Sequence, residues 1–357
     1  MRRIVWHEIG AYRRKLADPA CADYAAWDAH LKTAENDSGE LALTIAPANP
    51  EYTPIASLLS ELVVEDDGAE LWRGRVTEQA IDCYGRKRLV AKGVLDYLHD
   101  TAPEPQTFTG TTSAVFSALL NAHNARPIEA RKRIKIGSCS VSAQVDALTA
   151  NGAQTTWALL DSLIKKYGGY LVMRREGGES ILDWAADRTH INSQTVRIGV
   201  NLLDLKQELD PGDIVTVMYG YGKTTDGTAL NFAAQNGGKK YVTDADAVRD
   251  FGWIEGAYTD SACTDAAALL AAAKAELKKR LAKTRTITAS AVDLYDLGRS
   301  AERIEAGHYI SVVAPALGID ETVPCTQVDR WLWDPQKTKI TFCGSARAIS
   351  SLMGGKV

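Results

Sequence analysis

Two apolar runs facing each other across an Asp-Gly turn constrain this chain more than any other feature: Leu62 to Val64, then Asp66-Asp67-Gly68, then Leu71-Trp72. Asp and Gly accept the positive φ of a tight turn, so the segment is predicted to fold back as a β-hairpin. The same pattern surrounds it. Leu41, Leu43 and Ile45 alternate with Ala42 and Thr44 after the turn-forming Asn36-Asp37-Ser38-Gly39, and Pro47 and Pro50 stop that strand. Arg73 to Val76 continues the second arm of the hairpin, and Tyr84-Gly85-Arg86-Lys87 precedes a further run from Leu89 to Val94. Residues 1–98 are therefore expected to form short antiparallel strands of a barrel or sandwich.

The period then changes. Thr111 or Thr112 is placed to cap a helix with Val115, Phe116, Leu119 and Leu120 on one face. A second helix opens at Thr155 or Thr156, sets Trp157, Leu160, Ile164 and Tyr167 at helical spacing, and stops at Gly168-Gly169. A strand from Tyr170 to Met173, a turn over Glu176 to Glu179 and a partner strand from Ile181 to Trp184 make residues 99–200 an α+β region. Beyond it, the β-branched run Asp213 to Val217 predicts a strand, and the Gly-, Asn- and Lys-rich residues 221–240 predict an exposed loop. Thr264 or Asp265 begins a long helix with Leu270, Ala273, Leu277 and Leu281 on one face. Short strands follow at Arg285 to Val292, Tyr309 to Val313, Gln327 to Trp333 and Lys339 to Phe342, so residues 201–357 form a second β domain carrying one helix. The fold class predicted is α+β, multidomain and mainly β.

Composition excludes some functions. A net charge of −4 supplies no general attraction for nucleic acid, and the densest basic run (Arg126, Arg131, Lys132, Arg133, Lys135) is expected to be a solvated edge. Six cysteines, at 21, 83, 139, 263, 325 and 343, form no CxxC pair and are expected to be buried thiols. The first residues carry charge without the apolar stretch of a signal peptide, and no segment approaches the ~18–20 apolar residues of a membrane span.

Catalytic patterns fail in turn. His7-Glu8 begins like HExxH, but Ala11 stands where the second histidine is needed. Gly222-Lys223-Thr224 matches the end of a phosphate-binding loop, yet its first glycine would fall at Val217. The histidines at 7, 30, 99, 123, 190 and 308 are never spaced i,i+3 or i,i+4 and are expected to be structural, although any of them is free to converge in space. Glu65-Asp66-Asp67 is explained by turn solvation, and Asp244, Asp246 and Asp250 by loop solubility. Trp157, Trp184, Trp253, Trp331 and Trp333 invite a carbohydrate-binding reading, with core packing as the simpler one. No catalytic, cofactor-binding or metal-ligating residue is assigned, and no cofactor is expected.

Several strings in order resemble the N-terminal hub region of the phage tail proteins called prophage endopeptidase tail or tail-associated lysin proteins. They are SGELALTIAPANPEYTPI at 38–55, LWRGRVTEQAIDCYGRKRLVAKGVLDYLHDT at 71–101, TTWALLDSLIKKYGGYLVMRREGGESILDW at 155–184 and IGVNLLDLKQELD at 198–210. TRTITASAVDLYDLG at 284–298 and IEAGHYISVVAP at 304–315 add to them. The resemblance implies two β-barrel-like hub domains with an intervening α+β region, in a homotrimeric ring that adapts a sixfold tail tube to the tip and gives passage to tape-measure protein and DNA. It implies as partners a distal tail or tail tube protein, the tape-measure protein, and a fibre, spike or receptor-binding protein. No specific nucleic-acid binding and no membrane anchor are expected. The implied location is the virion tail tip, after assembly in the host bacterial cytoplasm. Because the sequence ends at Val357 without the long extension that carries a peptidase in many members, the expectation is a structural hub and not an enzyme. The alternatives are a cell-wall hydrolase whose residues converge from distant loops, or a carbohydrate-binding tail-tip protein.

Overall fold

In the computed structural model, residues 3–209, 212, 214–225, 227–283, 285–299, 301–317 and 319–344 are described. Seven strands open the chain: β1 (Arg3–Ile9), β2 (Tyr12–Ala17), β3 (Ala26–Ala34), β4 (Glu40–Ile45), β5 (Glu61–Asp66), β6 (Ala69–Ile81) and β7 (Lys87–Gly93). They hydrogen-bond in the order β3-β4-β7-β6-β5-β1-β2, all antiparallel, and curl into a half-barrel. The Asp-Gly hairpin forms as predicted, with Asp67 at φ 47° and Gly68 at φ 88° between β5 and β6. Alternate residues point inward, so Val5, Leu41, Leu43, Leu62, Val64 and Leu89 share one dry core. Gly74 on β6 stands opposite Gly93 on β7, and both positions require glycine: a Cβ at Gly93 would overlap the Ser38 carbonyl, and one at Gly74 the Lys92 carbonyl.

The α+β region has its own core. Strand β8 (Gln106–Thr111) leads into α1 (Thr112–Asn124), then β9 (Ile134–Cys139), β10 (Gln144–Ala150), α2 (Thr156–Tyr167), β11 (Tyr170–Glu176) and β12 (Glu179–Ala185). Thr111 and Thr155 cap the two helices, each hydroxyl accepting the N–H three residues on at 3.2 Å. Strand β8 pairs with β10, while β12 lies between antiparallel β11 and parallel β9. Phe116, Leu119, Leu159, Leu163 and Trp184 fill the space between. The buried stripe of α2 is Leu159, Leu160, Leu163 and Ile164, with Trp157 only half-buried, so the helix is rotated from the expected face.

Contacts divide the chain into two compact units, each discontinuous in sequence. The first takes residues 1–194, 290–309 and 326–340, because late segments return to pair with early ones. The second takes the described residues of 195–289, 310–325 and 341–344. Along the chain β13 (Ile191–Arg197) comes next, followed by β14 (Leu202–Leu209), β15 (Val217–Tyr221), the two-residue strands β16 (Thr224–Thr225) and β17 (Thr228–Ala229), and β18 (Tyr241–Thr243). The remaining elements are α3 (Ala245–Phe251), β19 (Glu255–Thr259), α4 (Ala266–Lys283), β20 (Arg285–Ala291), β21 (Tyr309–Ala314), β22 (Ile319–Trp331) and β23 (Lys339–Gly344). A small sheet, β18-β15-β19, packs one face on α4 through Met218, Phe232, Leu269, Ala273 and Leu277. The strand expected at Asp213 to Val217 starts only at Val217: Ile214 to Thr216 are buried without strand pairing, and Asp213 lies outside the described residues. Strand β21 pairs with β13 and β22. The C-terminal half of β22, Gln327 to Trp331, belongs to the first unit and pairs antiparallel with β3.

Candidate functional site

The hairpin that opens the fold also places a charge inside it. Arg3 on β1 is register partner to Asp66 at the end of β5, and its Nε donates to Asp66 Oδ2 at 3.3 Å. From the same unit Arg303 Nη2 reaches Asp66 at 3.2 Å, and Arg3 also pairs with Asp296. Arg330, on the returning strand β22, donates to both Asp296 oxygens at 2.6 and 2.7 Å, to Asp293 Oδ2 at 3.0 Å and to the Ile304 carbonyl at 2.6 Å. Gln194 Nε2 donates to Asp293 Oδ1 at 2.6 Å. Arg3, Asp66, Asp293 and Arg330 are buried, so Asp66 is not the solvated turn residue expected of it. The network fixes residues 293–305 against the half-barrel. Pairing of this density satisfies charges that burial would otherwise penalise by several kcal/mol each.

That fixed segment walls a cavity of about 500 Å³ in the first unit, bordered by Glu35, Tyr170, Arg188, His190, Arg303 and His308. At its edge His190, Glu302 and His308 converge, with one donor atom from each lying within 4.8 Å of the others. His190 Nε2 bonds Glu302 Oε1, and the two imidazole centroids are 4.3 Å apart. Glu302 Oε2 accepts the Ser193 N–H at 3.1 Å. Burial holds His308 below the usual imidazole range, with Glu305 and Glu302 opposing and His190 reinforcing the shift. Burial works to raise Glu302, but the Ser193 N–H and His190 bonds outweigh it and leave its carboxyl below the usual range. The six histidines showed no metal spacing because this convergence joins His190 to residues more than a hundred positions away; the Tyr309 N–H bond to the His190 carbonyl and the Ser193 N–H bond to Glu302 hold the two segments together.

His7 also has spatial partners its local motif did not announce. Its Nδ1 lies 2.6 Å from Glu51 Oε2 and its Nε2 2.7 Å from Ser60 Oγ, the order of a nucleophile, base and orienting carboxylate. Chemistry there would require a substrate carbonyl to reach Ser60. Ser60 and His7 are each 0% exposed, and Ser60 Oγ is already the acceptor for the Ala56 N–H at 3.0 Å. The arrangement braces the loop between β4 and β5 instead of presenting a nucleophile.

Other candidates resolve into structure. Arg126, Arg131, Lys132 and Lys135 of the basic run pair with Glu104, Glu129, Asp100 and Glu179 respectively. Asp244 caps α3, and Asp246 and Asp250 pair with Arg249. The N–H groups of Gly222 and Lys223 are bound to the Leu230 and Cys263 carbonyls at 2.8 Å, so they are not turned toward an anion. The cysteines depart from the expectation of burial: Cys325 is buried, Cys83 is exposed, and Cys21, Cys139 and Cys263 are intermediate. Trp184 is core, Trp331 packs edge-on to His30, and Trp333 donates to the Arg3 carbonyl at 3.1 Å. Trp253 is 51% exposed and ends an aromatic row, Tyr221, Tyr219, Tyr241 and Trp253, on the solvent face of the small sheet. No described helix is long and apolar enough to cross a membrane.

The fold is that of prophage tail proteins. The 43 kDa tail protein of prophage MuSo2 from Shewanella oneidensis superposes with a TM-score of 0.67 at 12% identity, over 97% of this chain and 99% of that one. A tail protein from Neisseria meningitidis MC58 gives 0.66 at 14% identity over 99% of both chains. An E. coli protein, c3393, described as a type VI secretion system component structurally similar to T4 bacteriophage tail proteins gp27 and gp5, gives 0.50 at 10% identity over 89% of this chain and 74% of that one. Residues 190–353 match the family described as prophage endopeptidase tail. No curated protein matches the sequence.

Proposed function

We propose that the chain is the structural hub of a phage-type tail tip, a homotrimeric ring that adapts a sixfold tail tube and leaves a passage for tape-measure protein and DNA. The observation that carries this reading is the fold match to tail proteins over nearly the whole of this chain. The likeness to a type VI secretion component supports a place in a tail-like apparatus. Self-association is supported by Ile198, Val200 and Leu203, each more than half exposed around the β13–β14 turn. Closed cyclic symmetry would bury that surface and limit growth. A net charge of −4 suits a lumen that must release DNA. Partners on this reading are the distal tail or tube protein, the tape-measure protein and a fibre or spike, at the virion tail tip.

Light scattering on purified protein is expected to return the mass of three 38.7 kDa chains. The double variant Val200→Asp, Leu203→Asp is expected to fall to one chain, with unfolding free energy changed by no more than about 0.5 kcal/mol, as for surface substitutions. A wild-type monomer at every concentration would contradict the ring. Glycan binding at the tip is a second reading, favoured by the aromatic row from Tyr221 to Trp253, whose ring faces suit the apolar faces of sugars.

A further inference from the structure

We propose that His190, Glu302 and His308 form a binding site for a zinc-type divalent transition metal, with a fourth coordination position open to the adjoining cavity. Two imidazoles and one carboxylate are the donor set such ions take in three-ligand sites. The donors now lie within 4.8 Å of one another. A tetrahedral ion with bonds of about 2.0–2.2 Å would draw them to about 3.4 Å. That closure is a movement of about 1 Å by side chains that are partly exposed and not locked in a core, and the ion would take the place of the His190–Glu302 hydrogen bond.

The surroundings orient these ligands from behind. Glu302 keeps its second oxygen on the Ser193 N–H, leaving the first directed at the histidines. Asn192 is buried, fixed by the Arg303 carbonyl at 2.7 Å and the Gln194 N–H at 2.9 Å, and stands 3.4 Å from His308 Nδ1. The His190 carbonyl accepts the Tyr309 N–H at 2.8 Å, which ties the backbone next to one ligand to that next to another. The Ser193 contact is of the kind that orients a ligating carboxylate in metal sites. A second carboxylate, Glu305, lies 3.9 Å from His308 Nε2 and adds negative charge, partly offset by Arg303 at 3.6 Å from it. A bound ion would cross-link residues 190–193 to 302–309, the same segment that the Arg330 network holds from its other side.

The test is titration of untagged full-length protein with Co²⁺, read by its visible absorption, followed by displacement with Zn²⁺. One Co²⁺ per chain with tetrahedral-type bands that Zn²⁺ removes is the expected result. Glu302→Gln, nearly isosteric, and His308→Ala should each bind at least about tenfold more weakly while keeping the wild-type circular dichroism spectrum. Absence of Co²⁺ bands together with absence of Zn²⁺ binding in a competition assay would overturn the proposal. So would binding that Glu302→Gln leaves unchanged.

Discussion

Replacing Arg330 with methionine is expected to destabilise the first unit by about 3–5 kcal/mol, the cost of leaving buried carboxylates without their partner. Arg330 supplies four hydrogen bonds, two to Asp296, one to Asp293 and one to the Ile304 carbonyl. Methionine matches much of its volume, so packing is nearly kept and charge is what changes. Asp293 and Asp296 would then retain only Gln194 and Arg3 as side-chain partners among those described here. Urea unfolding followed by tryptophan fluorescence measures the loss. Arg330→Lys should recover only part of it, because an ammonium is a point charge and cannot span both oxygens of Asp296 while also reaching Asp293. A loss below about 1 kcal/mol for Arg330→Met, the value of an exposed pair, would show that the network is solvated and not structural.

Trp184→Ala is expected to cost about 3–5 kcal/mol through loss of buried area and the cavity left behind. The indole is 0% exposed, packs 5.9 Å from the Phe116 ring, and donates from Nε1 to the Gly168 carbonyl at 3.1 Å. Its removal empties the centre of the α+β core and orphans a carbonyl at the end of α2. Trp184→Phe should keep most of the packing and lose mainly the hydrogen bond, about 1 kcal/mol. Thermal melts of the two variants against wild type decide this. Equal losses would place the energy in the hydrogen bond and not in the packing.

Local chemistry was legible in the sequence wherever a few adjacent residues decide the backbone. Asp67 and Gly68 announced the hairpin because few residues accept positive φ, and Thr111 and Thr155 announced helix starts because their hydroxyls substitute for a missing turn of backbone. What escaped was made by distance along the chain. Arg3 meets Asp66 across 63 positions and Asp296 across 293, and His190 meets Glu302 across 112; no spacing rule carries that information. The rotation of α2 escaped for another reason. Leu160 and Ile164 are buried on either reading, but Trp157 and Tyr167 fit beside them on a helical face as well as Leu159 and Leu163 do, and only tertiary packing chooses between these flanks. The buried trio of His7, Glu51 and Ser60 shows the converse error that geometry alone invites, since a catalytic order without access to solvent is only a brace.

The central claim, a structural place at the tail tip, is tested most directly by deleting this chain's coding sequence from the element that encodes it. Induced particles would then be imaged by electron microscopy, with an antibody to the chain applied to the undeleted parent. The account predicts label at the distal end of parental tails, and no complete tails after deletion. Complete tails without the chain, or label distributed along the tube, would contradict it.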